Sequence, residues 1–482
     1  RFQMPFFYVA GNHDITNPRM APKWRERYGP AYHHFVYKGV LFLLLNSEDP
    51  KYNIGEEQTR YISHALESNP DVRWTLVFIH RPPWDRGSDK NGWNQVVDLL
   101  GDRPYTVFAG HTHRYLNEER NGMQYYVLAT TGGSSRLEGV EAGRFDHVTW
   151  VTMSDQGPVI ANLLLDGILP GDIRTEYTRA LTDPLFRRQA VLTGPLFTKG
   201  TKYKGGNTTI RFRNPGDLPL KATARFLIHE DFRPNPRSFD LTVPPGEERE
   251  VGVSVRIEKT RKLVDLAPLY LDWALEYDLP DRDPLEVDGR NQLVPEQLLN
   301  VSRIRRVPAI DGRLDDWKSL PIGGPNEGCP AFSVVYDDEY LYLAVRTDEK
   351  SDPPRRKYKK GIRICLDARS DPDRSLSQSG RDGALDLRLR PDETFPYPGY
   401  RGADPPEGLK AICVSAENGM AAEVRVPLAY LDNLQGGGWE AVRLHVAVHC
   451  YGPDAWRGTK EWWRPDWQSA ETYAGSGTFL RK

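Results

Sequence analysis

The sequence has 482 residues, too many for one ordinary hydrophobic core, and a formal net charge of -2 from 64 Lys and Arg against 66 Asp and Glu. This balance leaves no basic surplus for a nucleic-acid backbone or an anionic membrane surface. Hydrophobic residues make up 39% of the chain, as in folded domains. The longest apolar run, Val40–Leu45, is far shorter than the ~20 residues of a membrane-spanning helix.

Short apolar segments alternate with helix-like segments over residues 1–180. Glu56–Ser68 has helical spacing, with Ile62, Ala65 and Leu66 on one face, and Trp93–Leu100 is a second predicted helix that ends at a glycine. This alternation predicts an α/β domain. Its predicted strands are Phe6–Val9, Val40–Leu45, Trp74–Ile79, Tyr105–Phe108 and Tyr125–Leu128.

Two β-rich domains are predicted after the α/β domain. Residues 185–298 contain alternating segments such as Thr208–Phe212 and Arg249–Val255, separated by Pro/Gly/Asn turns. This pattern predicts a β-sandwich of the immunoglobulin or fibronectin type. Residues 303–482 are again strand-like, with a predicted acidic turn at Asp337-Asp338.

The two ends of the chain carry further expectations. Arg1 stands just before the first predicted strand, so we expect the α/β domain to begin further upstream. The accessory β-domains lead us to expect a secreted, periplasmic or cell-surface protein. This expectation does not depend on a targeting segment. The widely spaced cysteines admit either disulfides or buried free thiols: Cys329, Cys365, Cys413 and Cys450.

Polar residues follow three of the predicted strands at the points where the strands end. The segments are Gly11-Asn12-His13-Asp14, His80 with Pro82-Pro83, and Gly110-His111-Thr112-His113. The carboxyl ends of strands in α/β folds are where sites assemble. Imidazole and amide groups suit Zn, Fe and Mn ions.

These three segments, together with Thr131-Gly132-Gly133-Ser134, resemble the calcineurin-like metallophosphoesterases over residues 1–165. The resemblance implies a four-layer α-β-β-α sandwich and two metal ions, Mn, Fe or Zn, which clamp a phosphoester and activate a water. It implies Asn12, His80 and His111 as ligands of one metal and His113 as a ligand of the other. It implies His13 as proton donor, oriented by Asp14.

One departure from the family pattern has consequences. The family also uses an upstream Asp-x-His and Gly-Asp-x-x-Asp/Asn, and the sequence contains neither. We therefore expect this chain by itself to bind metal weakly and to be nearly inactive. The alternative is a non-catalytic carbohydrate- or surface-binding protein with a degenerate phosphoesterase domain. A single histidine is more often structural than a ligand, so the metal hypothesis depends on the three segments together.

Two further predictions concern Arg81 and the pair Asp146-His147. Arg81 follows His80 and could bind a phosphate, although a solvated arginine is the simpler interpretation. Asp146-His147 is predicted to begin a late strand on its surface.

The segments Ile310–Trp317 and Phe332–Val345 resemble family 9 carbohydrate-binding modules, over residues 303–482. The resemblance implies a β-sandwich, aromatic side chains stacked on sugar rings, and often a structural calcium. Trp463 is the leading sugar-binding candidate, although most tryptophans of a sandwich fill its core. The wider set of candidates is Trp456, Trp462, Trp463 and Trp467.

Overall fold

The computed structural model divides the chain into two compact units, residues 1–186 and residues 187–482. It describes residues 3–17, 19–49, 52–85, 90–187, 190–323, 330–348, 359–369, 384–391, 394–395, 405–417, 419–451, 460–462 and 477–482. Within these ranges, none of the helices combines the length and the apolar character that crossing a membrane requires.

The first unit combines helices with two β-sheets. Its helices are α1 Asn12–Ile15, α2 Met20–Tyr28, α3 Glu56–Glu67, α4 Trp93–Leu100 and α5 Glu176–Arg187. Its strands are β1 His33–Tyr37, β2 Val40–Leu44, β3 Trp74–Phe78, β4 Tyr105–Ala109, β5 Leu116–Arg120, β6 Met123–Val127, β7 Val148–Ser154, β8 Gly157–Leu163 and β9 Ile168–Pro170.

The larger sheet of this unit has the strand order β1-β2-β3-β4-β6-β5. Strands β2, β3, β4 and β6 run parallel, and β1 and β5 are antiparallel edges. Leu43 pairs with Val77, and Val77 pairs with Val107, so apolar residues align across the sheet. One face packs on α3 and α4 through Ile62 and Val96, which are fully buried. This is the α/β pattern that the sequence predicts.

The smaller sheet, β7-β8-β9, packs against the other face of the larger sheet. Ile160 and Val151 contribute to the core between the two sheets. Val148, Trp150 and Ile168 lie on the solvent side, each more than half exposed. The described residues thus give an α-β-β succession, and the predicted fourth layer stays a prediction.

The prediction of a strand at Phe6–Val9 is wrong. The segment forms no strand and pairs with no other strand in the described part of the chain. Phe6 is 58% exposed and Tyr8 48% exposed. A strand needs a neighbour that accepts and donates its backbone hydrogen bonds, and local sequence cannot supply that neighbour. The segment packs instead through its aromatic rings, with Phe7 stacked on Phe35 at 4.4 Å.

The second unit is predominantly β-structure. Its first strands are β10 Val191–Thr193, β11 Leu196–Thr198, β12 Lys202–Tyr203, β13 Gly206–Arg213, β14 Leu220–Phe226, β15 Phe232–Asn235, β16 Ser238–Val243, β17 Glu248–Ile257, β18 Arg261–Lys262, β19 Leu269–Leu279 and β20 Arg282–Leu293. Eight of these strands form two four-stranded sheets, β10-β13-β17-β15 and β16-β14-β19-β20, and β12 pairs with β18. Phe239 contacts both Phe212 and Phe226, so side chains of the two sheets meet in one core.

A larger sheet follows in the second unit, together with the helix α6 Leu428–Gln435. Its apolar residues share one core, in which Val345, Ile364 and Trp439 are buried. The remaining strands are β21 Pro295–Arg303, β22 Ile322–Gly323, β23 Ala331–Tyr336, β24 Tyr340–Asp348, β25 Lys359–Asp367, β26 Ala384–Leu389, β27 Lys410–Ala416, β28 Gly419–Pro427, β29 Ala441–Tyr451, β30 Lys460–Trp462 and β31 Gly477–Arg481. The acidic turn predicted at Asp337-Asp338 joins β23 to β24.

Candidate metal site

The candidate site lies at the carboxyl ends of two neighbouring strands. His80 follows the end of β3 by two residues, and His111 follows the end of β4 by two residues. Because β3 and β4 are adjacent and parallel, their ends meet at the same edge of the sheet. Asn12 arrives at this edge from the short helix α1.

Three side chains converge there. Nε2 of His80 lies 2.8 Å from Oδ1 of Asn12, and Nδ1 of His111 lies 3.2 Å from the same oxygen. Nε2 of His80 and Nδ1 of His111 are 3.3 Å apart. Residues separated by up to 99 positions in sequence thus bring one oxygen and two nitrogens together.

The loop after β4 has an unusual backbone. His111 has a φ of 69° and His113 a φ of 55°, both in the left-handed region. A residue with a Cβ pays roughly 1–2 kcal/mol for this conformation, and such strain is concentrated at functional sites. The loop therefore turns sharply at both histidines.

Gly11 leaves the space that the His80 ring occupies. A Cβ on Gly11 would lie 3.0 Å from three atoms of that ring, closer than nearly all real contacts. The backbone of Gly11 is extended, with φ −113° and ψ 176°, so any residue could adopt it. Glycine is therefore needed here for space, not for conformational freedom.

Both imidazoles are held neutral. Burial lowers the pKa of His80 to about 4, with smaller contributions from His111 and Arg81. Burial also lowers the pKa of His111, and the Arg81 guanidinium acts in the same direction. A neutral imidazole keeps the lone pair with which histidine binds a metal.

Arg81 is anchored beside the converging side chains. Its Nε donates to Glu48, whose side chain is fully buried, and its backbone N–H donates to Ser47 Oγ at 3.3 Å. One terminal nitrogen of Arg81 lies 2.6 Å from Nε2 of His111. A guanidinium can only donate, so Nε2 of His111 accepts. The Arg81 guanidinium also lies over the Tyr52 ring, 4.3 Å from its centre.

The remaining predicted site residues lie outside this cluster. His113 is exposed and its Nδ1 lies 2.5 Å from the carbonyl oxygen of Ser134. His13 is exposed. Asp14 accepts the N–H of Gly11 at 2.9 Å, and within the described structure no hydrogen bond joins it to the His13 ring. Its carboxylate thus stabilises the local turn, and its expected role in orienting His13 stays a prediction.

The expectation that His147 lies on a strand surface is wrong, since it is 5% exposed. Its Nδ1 lies 2.9 Å from Asn162 Oδ1, and its Nε2 accepts the N–H of Ala129 at 3.1 Å. The local sequence predicted that the His147 ring is exposed, whereas neighbouring segments of the fold enclose it.

Sequence analysis missed Glu48 and Tyr52. A glutamate beside a serine, and a tyrosine near a proline, are ordinary loop residues, so only the folded arrangement shows their contacts with Arg81. Trp463, Trp456 and Trp467 lie outside the described residues, as do the side chain of Trp462 and Cys329. Cys365 and Cys413 are buried free thiols.

The donor set fits a metal ion in part. Nε2 of His80, Nδ1 of His111 and the amide oxygen of Asn12 lie within 3.3 Å of one another and belong to groups that transition metals accept. While Nε2 of His111 accepts from Arg81, Nδ1 of the neutral ring carries the proton and must lose it before it can bind an ion. Within the described ranges, however, no three or more His, Cys, Asp or Glu side chains form a group that could hold an ion. The cluster consists of two imidazoles and an amide and contains no carboxylate.

The site thus combines two imidazoles and an amide at strand ends with an anchored guanidinium. The family model described as calcineurin-like phosphoesterase matches residues 1–115. This match agrees with the family that the motifs predict, and the family implies metal-dependent hydrolysis of phosphoesters.

Comparison with solved structures finds matches of low similarity. The WR4 protein of the MSP family from Caenorhabditis elegans is 11% identical over 22% of this chain and 97% of its own, with a TM-score of 0.16. The Escherichia coli chaperone DraB is 11% identical over 60% of this chain and 95% of its own, with a TM-score of 0.17. Scores this low establish no common fold. No curated protein matches the sequence.

Proposed function

We propose that the first unit hydrolyses phosphate mono- or diesters at a two-metal site. Asn12, His80 and His111 hold one ion, and His113 contributes to the other. The observation that carries this proposal is the convergence of the three donor atoms within 3.3 Å, in a domain that matches a phosphoesterase family. When bound, the ions would polarise the phosphoryl group and lower the pKa of a water.

The position of His113 supports its role as a ligand. If its Nδ1–H donates to the Ser134 carbonyl, the lone pair is on Nε2. Ligating histidines commonly use this arrangement, in which a backbone carbonyl fixes the ring by accepting its other N–H.

Two further residues act on the substrate in this proposal. His13 is exposed near Asn12 and protonates the leaving oxygen. Arg81 donates to a phosphoryl oxygen, because Glu48 already holds its Nε and leaves its terminal nitrogens at the site. A fixed guanidinium loses little freedom when it binds a phosphate.

Metal binding and turnover test the proposal directly. We expect Mn²⁺ binding, followed by electron paramagnetic resonance, to weaken about 10- to 100-fold in Asn12→Ala and His80→Ala. His64→Ala, an exposed histidine of α3, is the matched control and should bind as the wild type does. Hydrolysis of a chromogenic phosphoester with Mn²⁺ should be slow and should fall further in His13→Ala. Equal binding by all variants would contradict the proposal.

A non-catalytic protein is the second candidate. The observation that favours it is that, in the described ranges, no three His, Cys, Asp or Glu side chains form a metal-binding group. Under this alternative, added Mn²⁺ leaves phosphoester hydrolysis unchanged, and His13→Ala has no effect.

For the end of the chain, we propose attachment to polysaccharide at the cell envelope or outside the cell, with calcium as a structural ion. The resemblance of Ile310–Trp317 to carbohydrate-binding modules supports this proposal. Binding to a glycan array should be lost in Trp463→Ala and kept in Trp150→Ala, which changes an exposed tryptophan of the first unit. Absence of binding to any glycan would contradict it.

A further inference from the structure

A pocket opens beside the candidate metal site. Its volume is about 550 Å³, within the range that holds small organic ligands. His111 and Arg81 form part of its wall, so a phosphoester bound at the site would extend into it. The other lining residues include Ser47, Tyr52, Ile54, Pro82, Pro83 and Asn91.

One side of the pocket is apolar. Ile54, Pro82 and Pro83 contribute this surface, and all three are buried in the fold. Asn91 holds the Pro83 segment, because its Nδ2 donates to the Pro83 carbonyl at 2.7 Å. This wall is therefore preformed, as small-molecule sites usually are.

Tyr52 provides an aromatic surface at the same pocket. The residue is 53% exposed, and the Arg81 guanidinium lies 4.3 Å from the ring centre. Because Glu48 fixes Arg81, the guanidinium in turn positions the ring. Tyr52 itself has a φ of 69°, a left-handed conformation that costs free energy and is found at sites more often than elsewhere.

The described lining carries little net charge. Arg81 and Asp85 are its charged residues, and Arg81 is already paired with Glu48. A substrate with several phosphates would need several cations to compensate its charge. The charges of the described lining residues instead suit a substrate with one anionic group, bound at His111 and Arg81, and an uncharged organic group in the rest of the pocket.

We propose that this pocket binds the alcohol portion of the substrate, and that this portion is a small ring-bearing group that packs on Tyr52. The proposal rests on the proposed function, since it places the phosphoryl group at the metal site. It names the substrate class as small, singly phosphorylated esters of cyclic alcohols or phenols, in preference to phosphoproteins and polyphosphates.

Two non-hydrolysable probes test the pocket without turnover. Phenylphosphonate and methylphosphonate carry the same anion and differ in the ring. Titration of the whole chain by NMR should show the phenyl compound binding about tenfold more tightly. Tyr52→Ala should reduce this ratio to about one to two, whereas Tyr52→Phe should keep it. Tyr37→Ala, which removes another exposed tyrosine, is the control and should leave the ratio unchanged.

The outcomes separate the two proposals. Equal affinity for both probes in the wild type, or a ratio that Tyr52→Ala does not change, overturns the pocket proposal even if Mn²⁺-dependent hydrolysis is observed. Ring-selective binding that depends on Tyr52, without any Mn²⁺-dependent hydrolysis, supports the pocket and contradicts the proposed function alone. Preferential hydrolysis of a phosphopeptide over phenyl phosphate also overturns the substrate class.

Discussion

Asn214, in the second unit, uses its whole side chain to hold the fold. Its Nδ2 donates to the carbonyls of Leu218 and Val243, at 2.7 and 2.9 Å. Its Oδ1 accepts the Gly216 N–H and the Tyr277 hydroxyl, at 3.0 and 2.6 Å. The residue is 2% exposed, and every hydrogen-bonding position is filled by groups of the fold itself.

Asn12, in the first unit, is placed differently. It is half-buried, and its Oδ1 lies near His80 and His111 at 2.8 and 3.2 Å. Its neighbours are side-chain nitrogens that could themselves bind an ion. The same residue type thus stabilises structure where main-chain groups saturate it, and prepares a site where side-chain donors gather around it.

Two buried carboxylates repeat this contrast. Glu423 accepts the N–H groups of Asp311 and Gly312 and the indole N–H of Trp317. Glu48 places Oε1 against Arg81, and among the described residues its Oε2 has no hydrogen-bond partner. The satisfied carboxylate anchors a loop, whereas the partly satisfied one positions a side chain of the candidate site.

The strongest test of the comparison is Asn214→Ala. We expect it to destabilise its sandwich by roughly 3 kcal/mol or more, because it leaves buried carbonyl, amide and hydroxyl groups unpaired. Hydrogen exchange of peptides that cover 206–226 should report the loss. Asn12→Ala should leave exchange of 33–44 unchanged while it weakens Mn²⁺ binding. If Asn12→Ala destabilises its unit as Asn214→Ala does, the two asparagines do not differ in their structural role.

Glu423→Gln should have the next largest effect. A glutamine presents one acceptor oxygen and a donor group to three N–H donors, so we expect about 2 kcal/mol of destabilisation. The measurement is the exchange of peptides covering 309–317 and 419–427. Glu440→Gln changes an exposed glutamate and should be neutral. Unchanged hydrogen exchange in Glu423→Gln would mean that the carboxylate does not anchor the loop.

Gly11→Ala tests the site without removing any donor atom. The new Cβ would displace the His80 ring, so we expect Mn²⁺ affinity to fall about tenfold, with little change in stability. Gly167→Ala is the control, since a Cβ there meets nothing within 4 Å. Wild-type affinity in Gly11→Ala would mean that the His80 ring can shift without cost to the site.

The smallest expected effect is the pH dependence carried by His147. Burial lowers its pKa in the folded state, so the unfolded chain binds the proton more readily. Its contribution to stability is therefore present above about pH 6.5 and is lost as pH falls through the folded pKa, by at most about 1.4 kcal/mol per pH unit. Thermal unfolding of the first unit at pH 7.5 and 5.5 should show a smaller difference in His147→Asn. An equal difference would contradict this assignment.

Several elements could be predicted from local pattern alone. Helices α3 and α4 lie within two residues of their predicted ends, because helical spacing and terminal breakers specify them locally. The motifs that contain Asn12, His80 and His111 also predicted the family whose model matches residues 1–115. The domain limits of residues 1–180, 185–298 and 303–482, and the likeness of the last domain to carbohydrate-binding modules, stay predictions.

The sequence by itself determined the alternation of elements, the residue types available to bind a metal, and the family that residues 1–115 match. The tertiary structure decided which of those residues meet. Phe6–Val9 found no strand partner, the His147 ring became buried, and Glu48 fixed Arg81 beside His111. These outcomes depend on contacts between segments distant in sequence, and local propensity contains no information about which segments will pack together.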